Sequence, residues 1–296
     1  MSKSLLIAFI GLFAITAIGY NSISKDSKDR EARMKAKGSG GLFSKLSGDD
    51  KKSEEESEEM DVAKMPTMPA KEKPSEYRRP LNSKNYNVGF LIMDGVYNSE
   101  LTAPFDIFQH TIFRENIKAM NTFLIAETKE MVTTFEGIRI LPDYSYSDAY
   151  PNIDILVIPS AEHHLDSDLE NQKMIAFVKN VGRKAKYITS HCDGAFVLAR
   201  AGLLSNRVCT TFPSDVPKMR TMFPDLDIRE DVLFVHDGKF ITSAGGAKSF
   251  EAALYLCELL YGKEIADQIA KGLVIDWDLE KVPHLIIDKP NSKKSQ

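Results

Sequence analysis

Residues 187–204 read YITSHCDGAFVLARAGLL, and the fold follows from how this stretch is parsed. The run from Lys186 to Cys192 has the length and apolarity of a buried strand, Asp193-Gly194 is a turn pair, and Ala195 to Leu204 has helical spacing. A strand that ends in cysteine and turns tightly into a helix is a nucleophile elbow with cysteine in place of serine, here without the full GxSxG spacing. The turn lifts a side chain above the carboxyl ends of the strands, where open α/β sheets bind ligands. The Cys192 thiol then faces a helix N-terminus, whose unpaired N–H groups and dipole favour a thiolate. The Asp193 N–H becomes a candidate oxyanion donor. Read from the pattern alone, a second possibility stands beside this one, because a buried strand-end cysteine often behaves as a small hydrophobe.

Working outward, NVGFLIM (Asn87 to Met93), NTFLIAE (Asn121 to Glu127) and DILVIPS (Asp154 to Ser160) are further apolar runs of strand length. Helical patterns lie between them, with Leu101, Phe105, Ile107 and Phe108 in one and Leu169 to Val181 in another. Strands alternating with helices predict an α/β domain whose mostly parallel sheet is covered on both faces. Val232–Val235 and Phe240–Ser243 flank His236-Asp237-Gly238-Lys239 and read as a hairpin. Phe250, Ala253, Leu254, Cys257 and Leu260 form a final helical stripe. Cys257 on that stripe and Cys209 in the short strand Arg207 to Thr211 read as core residues.

The N-terminal part is different. LLIAFIGLFAITAIGY (Leu5 to Tyr20) carries no charge. At 1.5 Å per residue it reaches roughly 24 Å, a little short of a ~30 Å hydrocarbon core. It reads either as an uncleaved membrane anchor or as a signal peptide with Ala17-Ile18-Gly19 as a small-x-small cleavage site. The basic residues from Lys25 to Lys37 favour keeping that side cytoplasmic, yet the side of the membrane stays open, with a secreted or periplasmic location the alternative after cleavage. Residues 21–84 hold Gly38-Ser39-Gly40-Gly41, an acidic run from Glu54 to Glu59 and four prolines, with few large apolar residues. Such a composition predicts a disordered charged linker. The expected organisation is therefore a hydrophobic segment over 1–20, a linker over 21–84, one domain over 85–280 and a polar tail over 281–296.

Bulk composition narrows the function. A net charge of −4 gives no electrostatic case for nucleic acid. Three cysteines without a CxxC pair and six histidines without HExxH give no disulfide framework or zinc signature, so no metal is expected, and a cysteine nucleophile requires no cofactor.

Three motifs together resemble the ThiJ/PfpI family: FLIMDGVYNSELTAPFDIF (Phe90 to Phe108), the elbow SHCDGAFVLARAGLL, and FITSAGGAKSFEAALYLCELLYG (Phe240 to Gly262). Within it they are similar to the branch of isonitrile hydratases and of the sensor domains of amidase-like regulators. The resemblance implies a flavodoxin-like fold, Cys192 as nucleophile, Glu100 as the acid that reaches the thiol from the first helix, and Gly245 in the glycine turn beside the pocket. It also implies a homodimer. The chain departs from the family in three places. Phe212 follows Thr210-Thr211 where many members carry a histidine. Ser160-Ala161 stands where a Gly-Gly helps to form the oxyanion hole, leaving the Ala161 amide as the candidate donor. Asp193 follows the nucleophile, and a carboxylate there raises the thiol pKa unless it points away. His163 and His164, just past the end of a neighbouring strand, are the candidate replacement bases. His191 precedes Cys192 on a strand and is expected on the opposite face.

Two functions are compatible with these residues. One is a cysteine-dependent hydrolase, hydratase or glyoxalase-like enzyme acting on a small electrophilic substrate, with a protonated Glu100 donating to a Cys192 thiolate and a thiol pKa below about 8.5. The other is a non-enzymatic redox sensor or stress protein that uses Cys192 oxidation. A transcriptional sensor is not expected, because only nineteen residues follow Trp277.

Overall fold

The computed structural model describes residues 80–287. The hydrophobic segment Leu5–Tyr20 and nearly all of the expected linker lie outside the described residues. Among the described residues, no helix is long and apolar enough to cross a membrane.

The sheet is built from short apolar runs, as the alternation requires. In chain order its strands and those of two small ladders are β1 (Tyr86–Leu91), β2 (Met120–Ala126), β3 (Val132–Thr133), β4 (Arg139–Ile140), β5 (Tyr144–Ser145), β6 (Ile155–Ile158), β7 (Tyr187–His191), β8 (Val208–Cys209), β9 (Asp227–Ile228), β10 (Phe234–Asp237), β11 (Phe240–Ser243) and β12 (His284–Ile287). The eight-stranded sheet runs β12-β10-β11-β7-β6-β1-β2-β5. Its pairs are parallel except the hairpin β10–β11, which turns at Gly238-Lys239. The helices are α1 (Asn98–Gln109), α2 (Gln172–Lys184), α3 (Gly194–Arg200), α4 (Val216–Met222), α5 (Ser249–Tyr261) and α6 (Lys263–Gly272).

Two cores result, one on each face. On one face α1, α5 and α6 pack Leu101, Ile107, Phe108, Leu254 and Ile269 onto Phe90, Val157 and Ile241. On the other, α2 and α3 bring Met174, Val178, Phe196 and Val197 onto Leu91, Leu156 and Ile188. Strands covered on both sides are apolar along their length, and all four residues of β6 are buried. Helix α2 starts where the Asn171 side chain accepts from the Lys173 and Met174 N–H groups, a side-chain cap for two otherwise unpaired donors.

The structure moves both expected domain boundaries outward. At the start, Asn82 exchanges hydrogen bonds with Asn121 of β2 through its N–H and carbonyl, and Leu81 packs against the α2 face. At the end, the expected polar tail is wrong for His284–Ile287, which pair in parallel with β10. A four-residue run after Pro283 carries too little periodicity to announce a strand. Its pairing depends on an open sheet edge offered by distant residues.

The Phe90 side chain is completely buried and meets Phe105 and Phe108 at ring-centroid distances of 5.0 and 6.2 Å. Phe90→Ala is expected to destabilise the domain by about 3–5 kcal/mol, read from the shift of the urea unfolding midpoint. A loss below about 1 kcal/mol would mean that this face is not the core described.

Candidate active site

Three strand ends and one helix converge on Cys192. The residue itself lies immediately beyond β7, and its backbone takes a φ of +52°, a left-handed conformation that residues with a Cβ rarely adopt. Such strain costs roughly 1–3 kcal/mol and persists only where the surroundings fix it. Here the Cys192 N–H donates to the Ser243 carbonyl at 2.9 Å, and the Cys192 carbonyl accepts from the Thr211 hydroxyl at 3.1 Å. Gly245, at φ +77°, lies so close that a Cβ on it would sit 2.5 Å from both the nitrogen and the Cβ of Cys192. Gly194 is equally constrained, since a Cβ there would meet the Ile158 carbonyl oxygen at 2.2 Å. The glycines on either side of the elbow are therefore there for close approach.

Glu100, buried in the first turn of α1, spans the site. One carboxyl oxygen accepts from the Ser160 N–H at 3.0 Å, beyond the end of β6, and the other from the Gly246 N–H at 3.1 Å, beyond the end of β11. Burial pushes the Glu100 carboxyl up, against the lowering influence of those two donors and of the Cys192 thiol.

Asp193 points toward the sulfur, not away from it. The thiol donates to Asp193 Oδ2 at 3.5 Å, and the Thr211 hydroxyl lies 3.1 Å from Asp193 Oδ1. Burial and the like charge of Asp215 push the Asp193 carboxyl up to about 6. Burial, then the carboxyls of Glu100 and Asp193, raise the Cys192 thiol far above its ordinary value. Against the expected thiolate stand removal from water and two neighbouring carboxyl groups, which oppose ionisation of Cys192 where the terminus of one short helix favours it.

Cys192, Glu100, Asp193 and Gly245 are brought together. The other expected participants are not. The Ala161 N–H donates to His164 Nδ1 at 3.2 Å, so this amide already has a partner. His164 is fully buried, with Nε2 3.2 Å from the Met93 sulfur, and burial pushes it down to about 3. His163 is exposed beside Glu162 and Asp166. Neither histidine is placed as a base for Cys192. His191 is buried, bonded to the Ser243 hydroxyl, and Phe212 is 40% exposed.

Several groups at the site had no signal in the sequence. The Ser160 hydroxyl is buried without a hydrogen-bond partner, and it and the Asp193 N–H favour the ionised form of Cys192. Tyr97, raised first by burial, feels the charges of Cys192 and Glu100. Thr211 belongs to the Thr-Thr pair that was legible, but its bond to Asp193 depends on how the elbow turns.

The family model described as DJ-1/PfpI matches residues 86–259. An isonitrile hydratase of Pseudomonas putida is 25% identical over 182 residues, covering 62% of this chain and 75% of that protein. Protein dj-1beta of Drosophila melanogaster is 29% identical over 150 residues, covering 50% of this chain and 79% of its own. Its crystal structure superposes with a TM-score of 0.56 over 65% of this chain and 100% of that one. A transcriptional regulator of the helix-turn-helix type, GbdR of Pseudomonas aeruginosa, is 21% identical over 209 residues, covering 69% of this chain and 56% of the regulator.

A carboxyl that binds its proton more tightly when folded lends stability at low pH. For Asp193 that contribution is full below about pH 4, its unfolded value, and is lost as pH rises through about 6. The unfolding free energy of the natural protein, measured relative to Asp193→Asn, is therefore expected to fall by about 3 kcal/mol from acid to neutral pH. A flat or rising difference would contradict the placement of this carboxyl.

Proposed function

The chain belongs to the DJ-1/PfpI family, and on that premise we propose that residues 80–287 form a cysteine-dependent enzyme for a small electrophilic substrate, of the hydrolase, hydratase or glyoxalase-like kind. Membership alone does not select a reaction, since the relatives include a hydratase and a regulator. The observation that carries the reading is the elbow itself. Cys192 is held at a positive φ with its thiol against the Asp193 carboxyl, 3.5 Å from Oδ2. Backbone strain kept at a nucleophile is the signature of a pre-organised site.

Cys192 would attack the electrophilic carbon, and the Asp193 N–H and the Ser160 hydroxyl would face the charge that develops. Glu100, bonded by two backbone donors, would hold the ends of β6 and β11 against the elbow and exchange a proton with the bound group. The redox-sensor reading stands as the alternative, since oxidation and nucleophilic attack alike proceed through a thiolate.

A membrane-tethered arrangement completes the reading. It rests on the apolar, uncharged Leu5–Tyr20 segment and the charged stretch that follows it. The full-length protein is expected to sediment with membranes and to begin at Met1 or Ser2. An N-terminus at Tyr20 would replace the anchor with a cleaved signal.

Activity is tested by offering isonitriles, 2-oxoaldehydes and small amides to the protein and to Cys192→Ser. Turnover of one class is expected, with a loss of about a thousandfold or more in the serine variant. Turnover that survives in Cys192→Ser would remove Cys192 from the chemistry.

A further inference from the structure

On a regular strand, neighbouring side chains point to opposite faces, so a residue that follows a nucleophile normally turns away from it. The left-handed backbone at Cys192 breaks that alternation. Both side chains land on one side of the elbow, with the thiol 3.5 Å from Asp193 Oδ2. The carboxylate is also fixed. The Thr211 hydroxyl lies 3.1 Å from Asp193 Oδ1 and 3.1 Å from the Cys192 carbonyl oxygen, which ties the acid to the backbone of the residue it touches. Only 8% of Asp193 is exposed.

Charge decides what this pair can do. Releasing the thiol proton to solvent would create a new negative charge in a buried site that already holds Glu100 and Asp193. Passing it to Asp193 creates none, because a thiol and a carboxylate become a thiolate and a carboxylic acid. Burial and like charge, which oppose ionisation of Cys192 by proton loss, therefore weigh far less on transfer within the pair. Apart from the thiol itself, the charged side chains with leading influence on this cluster are all carboxylates. Glu136 acts on Glu100, Asp215 and Glu100 act on Asp193, and Glu162 acts on Tyr97.

We propose that the Asp193 carboxylate is the proton acceptor for Cys192, and that the site in consequence takes uncharged or cationic electrophiles in preference to anionic ones. This rests on the enzymatic reading of Cys192. As the sulfur–carbon bond forms, the S–H bond breaks and its proton goes to Asp193 Oδ2. The π pair of the substrate's carbon–heteroatom bond moves onto the heteroatom, opposite the Asp193 N–H, and Asp193 then returns the proton there. The net change is addition of S–H across that bond, with no other reagent. Asp193 thus occupies the role left open by Phe212, and it needs no histidine.

The test uses the full-length protein and two matched alkylating probes, uncharged iodoacetamide and anionic iodoacetate. Rates at Cys192, Cys209 and Cys257 are resolved by peptide mass spectrometry across the pH range. With iodoacetamide, Cys192 should react faster as pH rises through an inflection near 6, where Asp193 ionises. The groups facing Asp193 in that titration are Cys192, Thr211, Asp215 from the turn before α4, Glu100 from α1, and Tyr97. Iodoacetate should lag iodoacetamide by about tenfold more than it does with glutathione.

Asp193→Asn separates a base from a mere repulsive charge, because the two predict opposite signs. Loss of a base lowers the neutral-pH rate, by about a hundredfold, and abolishes the inflection. Loss of a repulsive charge raises the rate, and that result overturns the proposal. Thr211→Val is a second variant that keeps the carboxylate: it removes one donor to Asp193 and should move the inflection to higher pH, with retention of the fold checked by circular dichroism because the same hydroxyl also holds the Cys192 carbonyl. An inflection that does not move overturns the assignment. If wild-type Cys192 reacts no faster than the fully buried Cys209 and Cys257, the nucleophile reading itself falls, and the base with it.

Discussion

Everything at this site depends on one backbone conformation, the positive φ at Cys192. It requires Gly245 behind it, since any side chain there would collide with the Cys192 backbone, and it requires Gly194 after it, where a Cβ would strike the Ile158 carbonyl. It sets the direction of the thiol, and it turns Asp193 to the same side. The parallel sheet matters to function chiefly because it brings the ends of β6, β7 and β11 and the start of α1 to one place, the position where open α/β sheets bind ligands.

The second constraint is electrostatic. A buried cluster of carboxyls and a thiol tolerates little net charge. Loss of a proton at one member therefore opposes its loss at the next. Glu100 and Asp193 differ in how they meet this condition. Glu100 is tied to two backbone donors on separate strands, which suits a rigid brace. Asp193 is tied to one hydroxyl and to the nucleophile, which leaves it responsive to what binds there. His164 and His191 are buried and held neutral, so they add polarity to the interior without adding charge.

The sheet was legible because buried parallel strands are written as apolar runs. Val88–Leu91 and Ile155–Ile158 have no other stable destination in water. The elbow and the β10–β11 hairpin were legible from their turn residues, Asp193-Gly194 and Gly238-Lys239. What stayed hidden depends on geometry that arises only after folding. Ala161 looked like a free amide until the chain turned back and offered it His164. Whether Asp193 faced the thiol depended on a dihedral angle one residue earlier. The Ser160 hydroxyl and Tyr97 carry no motif at all, and their place comes from neighbouring strands that are distant in sequence. Strand β12 was missed for the same reason, since the edge it completes belongs to β10.

The order of the chain gives the Gly245 contact a meaning during synthesis. A ribosome delivers β1, β6, β7 and the elbow well before it delivers β11 and the glycine turn. Until those later residues emerge, the Ser243 carbonyl that receives the Cys192 N–H is missing, and so is the glycine backbone that packs against the Cys192 main chain. A nascent sheet can assemble its first strands, yet the cysteine has no reason to adopt its strained conformation. Completion of the site is thereby coupled to translation of the C-terminal third, so a truncated chain carries a relaxed, ordinary cysteine.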